Sequence, residues 1–338
     1  MKICIYGAGN IGCYLAGRLV AAGGNVQLIV RSKIRQQLQQ YGLTVSDYLG
    51  YQHTIAAEQL QMSDDPQLAA QADIIFVCVK SAATEQVAHE LRTVLANKTL
   101  MISFQNGLAN ADILKKILPD QTVLAGMIPF NVAALGNGRF HQGTEGTLYT
   151  QQHEPMHELI SAFKTAGLEL KLASDMQAVQ WAKLILNLNN SVNALSQLPL
   201  KQQLSIRGYR QCLAMAQMEA LRLLKIAGIK PAQLTALPAQ IIPRVLSLPD
   251  FIFNVVSKKM LAIDPLARSS MADDLMAGRS TEIDWINGEV VRLAQQLNLK
   301  APVNTKLIQL IKQAETSPKA WSAQALKQQL ELEIKMRA

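Results

Sequence analysis

A chain of 338 residues, 49% hydrophobic and 17% charged, has an ordinary globular composition and is long enough for two hydrophobic cores rather than one. Its net charge of +8 comes from dispersed Lys and Arg, with no basic run and no interleaved aromatics. That pattern argues against a nucleic-acid partner and for a basic surface suited to anionic small molecules. Cys4, Cys13, Cys78 and Cys212 are scattered without a C-x-x-C pair, so they read as reduced core thiols of a cytoplasmic protein. Between Ile3 and Val30 the only charge is Arg18, but glycines interrupt the stretch throughout and no cleavage pattern follows it. No other segment approaches the ~20 apolar residues of a membrane span. A soluble protein with no membrane partner is expected.

The chain starts with a short apolar β-prone run, Lys2-Ile3-Cys4-Ile5-Tyr6, which leads into Gly7-Ala8-Gly9-Asn10-Ile11-Gly12 and then a helix-like run from Cys13 to Ala22. Strand, G-x-G-x-x-G and helix in that order form the fingerprint of a dinucleotide site. Gly7 permits the tight turn, Gly9 lets the backbone approach the pyrophosphate, and Gly12 allows the helix to pack on the strand. The N-H groups of the helix start then face the phosphate charge.

Asn25 to Val30 predicts a second strand, ending in Arg31-Ser32-Lys33. An NAD site places a carboxylate here to bind the ribose 2'-hydroxyl, whereas this chain offers cations. Arg31 suits a 2'-phosphate, which favours NADPH; the competing reading is an ordinary surface Arg on a loop. Gly42 to Val45 begins a further short strand. Ala72 to Val79 is a continuous apolar run typical of a strand buried on both faces, and it delivers Lys80 and Ser81 to the carboxyl edge of the sheet. A helix over Thr84 to Leu95, a strand over Thr99 to Phe104 ending in Gln105-Asn106-Gly107, and a strand over Thr122 to Ile128 complete an α/β, doubly wound Rossmann pattern. From Gly136 to Tyr149 the texture is that of an antiparallel hairpin. His153-Glu154-Pro155-Met156-His157 fits H-E-x-x-H, but Pro155 belongs in the first turn of a helix and would leave His153 outside it, so no metal site is expected.

Beyond Ser174 the apolar spacing becomes helical, which divides the chain into domains 1–173 and 174–338. Within Trp181 to Leu195, Lys183, Asn187 and Asn190 share one helix face. A cation with two amides in an apolar helix is costly to bury without a purpose; the plain alternative is a Lys snorkelling to solvent beside capping amides. Then follows Ser269-Ser270-Met271-Ala272-Asp273-Asp274-Leu275-Met276-Ala277-Gly278-Arg279-Ser280-Thr281-Glu282-Ile283-Asp284-Trp285-Ile286-Asn287-Gly288.

With the glycine turn, Arg31, Gln105-Asn106-Gly107, the Lys183-Asn187 helix and Ala301-Pro302-Val303-Asn304, this long pattern resembles the ketopantoate reductases (2-dehydropantoate 2-reductases) from residue 3 to 304. The resemblance implies a Rossmann domain followed by an all-α domain of the 6-phosphogluconate dehydrogenase C-terminal type, with the active site in the cleft between. It implies NADPH-dependent reduction of 2-dehydropantoate to pantoate in pantothenate and coenzyme A biosynthesis. Lys183 matches the catalytic lysine, the proton donor. Asn106 matches the residue touching nicotinamide and substrate. Asn187 and Ser270 match substrate positions, and Glu282 matches the acid beside the cofactor and the reacting centre. Gly7, Ala8, Gly9, Asn10, Ile11, Gly12, Arg31 and Lys80 match cofactor positions. A Glu near Lys183 would orient it and favour its charged form.

Two features depart from the family pattern. A second helix Asn is expected eight residues after the lysine, where this chain has Ser191; Asn190, just before it, is taken as the substitute. The segment between Lys183 and Ser270 is long and carries an apolar stretch, 241–256, read as a roof for the substrate or a dimer contact. A helix with Leu326, Leu330 and Ile334 on one face is expected to dock on the helical domain. The implied partners are a small 2-oxo acid and a second copy of the chain in a homodimer. The alternatives are a same-fold reductase of another 2-oxo acid and a non-catalytic NADPH sensor.

Overall fold

The computed structural model describes residues 1–96, 98–154, 156–256 and 267–337. Backbone contacts divide the chain into two compact units, Met1–Met176 and Gln177–Ala338.

The first unit is built on an eight-stranded sheet. Its strands are β1 (Lys2–Tyr6), β2 (Asn25–Ile29), β5 (Gln61–Ser63), β6 (Ile74–Val77), β7 (Leu100–Ser103), β8 (Thr122–Met127), β11 (Leu148–Gln151) and β12 (Leu170–Ala173), in the spatial order β12-β11-β8-β7-β6-β1-β2-β5. Every pairing is parallel except β11 with β8. β6 is buried at all four positions because helices cover both faces, which is why its sequence is apolar without alternation. The strand order reverses between β1 and β6, and ligands of doubly wound sheets bind at that reversal. Helices α1 (Asn10–Ala21), α2 (Ser32–Tyr41), α3 (Thr84–Val94), α4 (Asn110–Ile117) and α5 (His157–Thr165) complete the unit.

The expected single strand series is an incomplete description. Strands β3 (Leu43–Asp47), β4 (Gln52–Ile55), β9 (Val132–Gly136) and β10 (Arg139–Gln142) form a separate four-stranded sheet, β4-β3-β10-β9. The Gly136 stretch is a hairpin, with Asn137 (φ 49°) and Gly138 (φ 69°) both left-handed at its tip. It pairs β10 with β3 across 95 residues of chain, His141 opposite Ser46, and so belongs to this second sheet. Buried Arg18 pins α1 to both surroundings. Its Nη1 donates to Asp47 Oδ2 on β3 at 3.0 Å, and its Nε donates to the Ala166 carbonyl after α5 at 2.9 Å.

The second unit is helical: α6 (Met176–Asn187), α7 (Asn189–Ser196), α8 (Leu200–Ser205), α9 (Arg207–Ile226), α10 (Ile242–Leu246), α11 (Asp250–Val256), α12 (Ser270–Met276), α13 (Ile283–Gln296), α14 (Pro302–Thr316) and α15 (Ala323–Arg337). α9 packs against α15, α10, α13 and α14. α15 docks through Leu326 and Leu330, both fully buried, but its next inward residue is Glu333 and not Ile334, which is 36% exposed. Glu333 faces Lys306 of α14. Among the described residues no helix is long and apolar enough to cross a membrane.

Candidate active site

The glycine turn follows β1 and hydrogen-bonds the end of β2: the N-H groups of Gly7 and Ala8 both donate to the Ile29 carbonyl. The three motif glycines do different jobs. Gly7 has φ +101°, and a Cβ there would lie 2.6 Å from Val79 Cγ1. A Cβ on Gly12 would lie 2.2 Å from the Gly7 carbonyl oxygen. Nothing in the protein lies within 4 Å of a Cβ on Gly9, so the fold itself does not demand glycine there. The open side of Gly9 adjoins the start of α1, which has no side-chain cap and therefore presents unpaired backbone donors to an anion. An open face at Gly9, with helix donors beside it, fits a dinucleotide pyrophosphate. Asn10 is anchored there by its Nδ2, which donates to the Val132 carbonyl at 2.9 Å.

Arg31 is the residue before α2, exposed, at the carboxyl end of β2 and adjacent to the strand end that holds the turn. The strand end itself, Arg31-Ser32-Lys33, contains no carboxylate, and Asp64 at the neighbouring end of β5 pairs with Arg35 at 2.8 Å.

The loops after β6 and β7 are tied to the turn and to each other. Val79, which packs on Gly7, accepts a hydrogen bond from Gln105 Nε2 through its carbonyl at 3.0 Å. Gln105 Nε2 also donates to Thr84 Oγ1 (2.7 Å), which donates to Asn110 Oδ1 (2.8 Å). Ser81 Oγ (2.9 Å) and Asn110 Nδ2 (2.6 Å) both donate to the Asn106 carbonyl. This buried network fixes the backbone of Asn106 and leaves its side chain half-buried at the sheet's carboxyl edge, with exposed Lys80 on the neighbouring loop. Sequence reasoning places Ser81 and Gln105 at the carboxyl edge without a role, and misses Thr84 and Asn110. Their only signal is a cluster of small polar residues directly after two apolar strands.

In the second unit the Lys183 helix is not continuous. α6 and α7 are separated at Leu188, whose carbonyl accepts the Ser191 hydroxyl at 3.0 Å; such side-chain to backbone bonding bends helices. Ser191 is fully buried and its hydroxyl is committed to that bond. Asn187 and Asn190 are half-buried on either side of the break. Lys183 is half-buried between buried Ala182 and Leu184, and burial pushes its ammonium down to about 8. The net shift is opposite to the one expected from an adjacent carboxylate: desolvation dominates.

The paired serines separate into two roles. Ser269 is buried and structural: its hydroxyl caps α12 at Ala272 N-H and donates to the Asn190 carbonyl, and its N-H donates to Asn193 Oδ1. These bonds hold the start of α12, and exposed Ser270, beside Asn190. Glu282 is half-buried at the residue preceding α13. Further along the same motif, Asn287 and Asn304 are fully buried and hydrogen-bond each other at 2.9 Å. Glu219 of α9 then accepts from the N-H groups of Val303 and Asn304 and from Asn304 Nδ2, capping α14. Part of the long motif is therefore scaffolding.

The H-E-x-x-H stretch forms no single helix: α5 starts at His157, and Pro155 lies outside the described residues. Among the described residues no group of three metal-ligating side chains occurs. The four cysteines are free, and burial pushes the thiols of Cys4 and Cys212 up to about 12.

Both units match one family. The description "Ketopantoate reductase PanE/ApbA" fits residues 3–155, and "Ketopantoate reductase PanE/ApbA C terminal" fits residues 175–315. The chain belongs to the ketopantoate reductase family. As a family member it is an oxidoreductase. A 2-dehydropantoate 2-reductase of Halobacterium salinarum is 26% identical over 324 residues, covering 93% of this chain and 99% of that protein. A crystal structure of a PanE/ApbA family ketopantoate reductase from Ralstonia eutropha superposes with a TM-score of 0.80 at 28% identity, covering 94% of this chain and 99% of its own. D-mandelate dehydrogenase bound to NADH and anilino(oxo)acetate shares the fold, with a TM-score of 0.78 at 20% identity over 94% of this chain and 99% of its own.

Proposed function

We propose that this protein reduces 2-dehydropantoate to pantoate with NADPH, a step toward pantothenate and coenzyme A, in the cytoplasm. The observation that carries this reading is Lys183: a half-buried lysine on an apolar helix, with its ammonium lowered to about 8, in a chain of the ketopantoate reductase family. A general acid works best when its pKa lies near the operating pH. At neutral pH Lys183 is still largely protonated, yet it gives up its proton more readily than an exposed lysine.

When bound, the nicotinamide supplies a hydride to the carbonyl carbon of the 2-oxo acid. Lys183 stabilises the negative charge developing on the carbonyl oxygen and protonates it. Asn187, Asn190, Ser270 and Asn106 hold the carboxylate and hydroxyl by hydrogen bonds that fix the reacting geometry. Glu282, at the residue preceding α13, would take the position beside the cofactor and the reacting centre. In the first unit, Gly7, Ala8, Gly9, Asn10, Ile11 and Gly12 bind the pyrophosphate, Arg31 the 2'-phosphate, and Lys80 and Asn106 the nicotinamide half. Supporting this division, Gly9 is the motif glycine whose side is open, and Arg31 stands where an NAD site needs a carboxylate.

The fold shared with D-mandelate dehydrogenase favours a second reading, reduction of a different 2-oxo acid by the same machinery. A non-catalytic NADPH sensor would have no need of Lys183 with its amides. NADPH oxidation by purified protein separates these readings, using 2-dehydropantoate and a panel of 2-oxo acids and repeating each with NADH. Highest kcat/KM for 2-dehydropantoate with NADPH is expected. A higher value for another 2-oxo acid selects the second reading, and tight NADPH binding without turnover selects the sensor.

A further inference from the structure

The second unit has a recess outside the candidate catalytic and cofactor residues, lined in part by the apolar segment 241–256. It lies at the end of α9, has a volume of about 600 Å³, and is walled by the chain that turns back from Gly228 toward α10. This is within the size range of small-molecule sites, ~300–1,000 Å³. Arg222, Lys225, Lys230 and Arg244 line it. All four are exposed; Arg222 feels the Glu219 carboxylate one turn back along α9, and Lys225, Lys230 and Arg244 form no ion pair among the described residues. Residues 220–249 contain no Asp or Glu. The acid nearest in sequence, Glu219, caps the N-terminus of α14 and reaches only Arg222 of the four.

The ordinary explanation for a cation here is the C-terminus of α9, where the aligned peptide dipoles place about half a negative charge. Lys225, in the last turn, is sufficient for that. Arg222 is offset by Glu219, but Lys230 and Arg244 lie beyond the helix end and exceed what it needs; gathering like charges has a cost that a bound polyanion would remove. Between them the lining is mostly apolar: Leu221, Ile229, Pro231 and Pro243 are half-buried or buried and offer no hydrogen bonds from their side chains, and exposed Gln240 adds one amide. Two of these are prolines with fixed φ, so this wall loses little entropy on binding. The wall is also anchored: Ala232 N-H donates to the Ala178 carbonyl in the first turn of α6, the helix that carries Lys183.

We propose that this recess binds a multiply charged organic phosphate of nucleoside-diphosphate type. The four cations take its phosphate groups and the apolar wall takes its ring. Free pyrophosphate has the charge without the ring, and it should bind more weakly.

Calorimetric titration of ADP into the full-length protein, with NADPH held at saturation so that the first-unit site is filled, tests this. NADPH saturation is read separately by its fluorescence, so a failure of the cofactor assignment shows on its own. The expected results are ADP affinity ~10-fold or more above that of inorganic pyrophosphate, and a loss of ~10-fold or more in Lys230→Gln/Arg244→Gln, with Lys116→Gln on α4 as the unaffected charge control. Thermal melts of the variants check that they are folded. Absence of ADP binding, equal affinity in the double variant, or pyrophosphate binding as tightly as ADP overturns the proposal.

Discussion

The two units carry their candidate residues by opposite means. In the first, backbone does the work: a left-handed Gly7, a crowded Gly12, an open Gly9 and the bare start of α1. In the second, side chains do it, from a half-buried lysine and amides spread along α6 and α7. Backbone sites rest on local geometry, so their demands are visible in a few neighbouring residues. Side-chain sites on helices rest on burial, and burial depends on which other helices cover them.

The sharpest way to break this division is to remove the side chain that matters most. Lys183→Ala is expected to lower kcat by ~10²-fold or more while leaving NADPH affinity intact, checked by steady-state rates and by fluorescence titration. Normal turnover would mean that the second unit does not supply the proton.

Arg31→Ala should come next in size. Losing a charge-assisted contact worth ~1.5–3 kcal/mol raises the NADPH dissociation constant by ~10- to 100-fold, with NADH binding unchanged. Equal losses for both cofactors would place Arg31 outside the 2'-phosphate site.

A third test separates glycines within one motif. Gly12→Ala forces a Cβ to 2.2 Å from a carbonyl oxygen and should cost ~1–3 kcal/mol, seen as a lower Tm. Gly9→Ala meets open space, so Tm should hold while NADPH affinity falls by about tenfold, ~1.4 kcal/mol. A fall in Tm for Gly9→Ala would show that the protein, not its ligand, requires that glycine.

The smallest expected effect concerns stability. Lys183 has a folded-state pKa of about 8 against 10.5 for the unconstrained group. Between those values the unfolded chain binds more protons, so this group's contribution to stability rises with pH across that window. Below about 8 the charged, buried lysine destabilises the fold. Lys183→Met should therefore raise Tm at pH 7, by about 2–4 °C for each kcal/mol of relieved desolvation, with the gain shrinking toward pH 10.5. Thermal melts across that range check it.

The central sheet was legible because its strands are buried on both faces and read as unbroken apolar runs, as in β6 and β7. Of the second sheet, the strand from Gly42 and the hairpin from Gly136 were legible but their pairing was not. β3 and β10 are short and partly exposed, and their pairing spans most of the first unit. In the second unit the Lys183 face was visible as a period, but the one-residue interruption at Leu188, where the Ser191 hydroxyl donates to the carbonyl, was not. Nothing in Ser269-Ser270 indicates which serine caps α12 and which is exposed; packing against Asn193 decides it. The apolar segment 241–256 hid its organiser altogether. Fully buried Arg210 of α9 donates to the Leu246 and Leu248 carbonyls and to Asp250, and it stacks on Phe253, holding α10 and α11 in place. A charged residue inside a long helix gives no sequence sign that it will be buried by a segment some 40 residues away.

The most direct measurement is the pH dependence of kcat/KM for NADPH-driven reduction of 2-dehydropantoate, from about pH 6 to about pH 10. With Lys183 as proton donor, kcat/KM falls as pH rises through about 8, the value set by its burial. A flat profile across that range would mean that the proton comes from another group and would contradict the role assigned to Lys183.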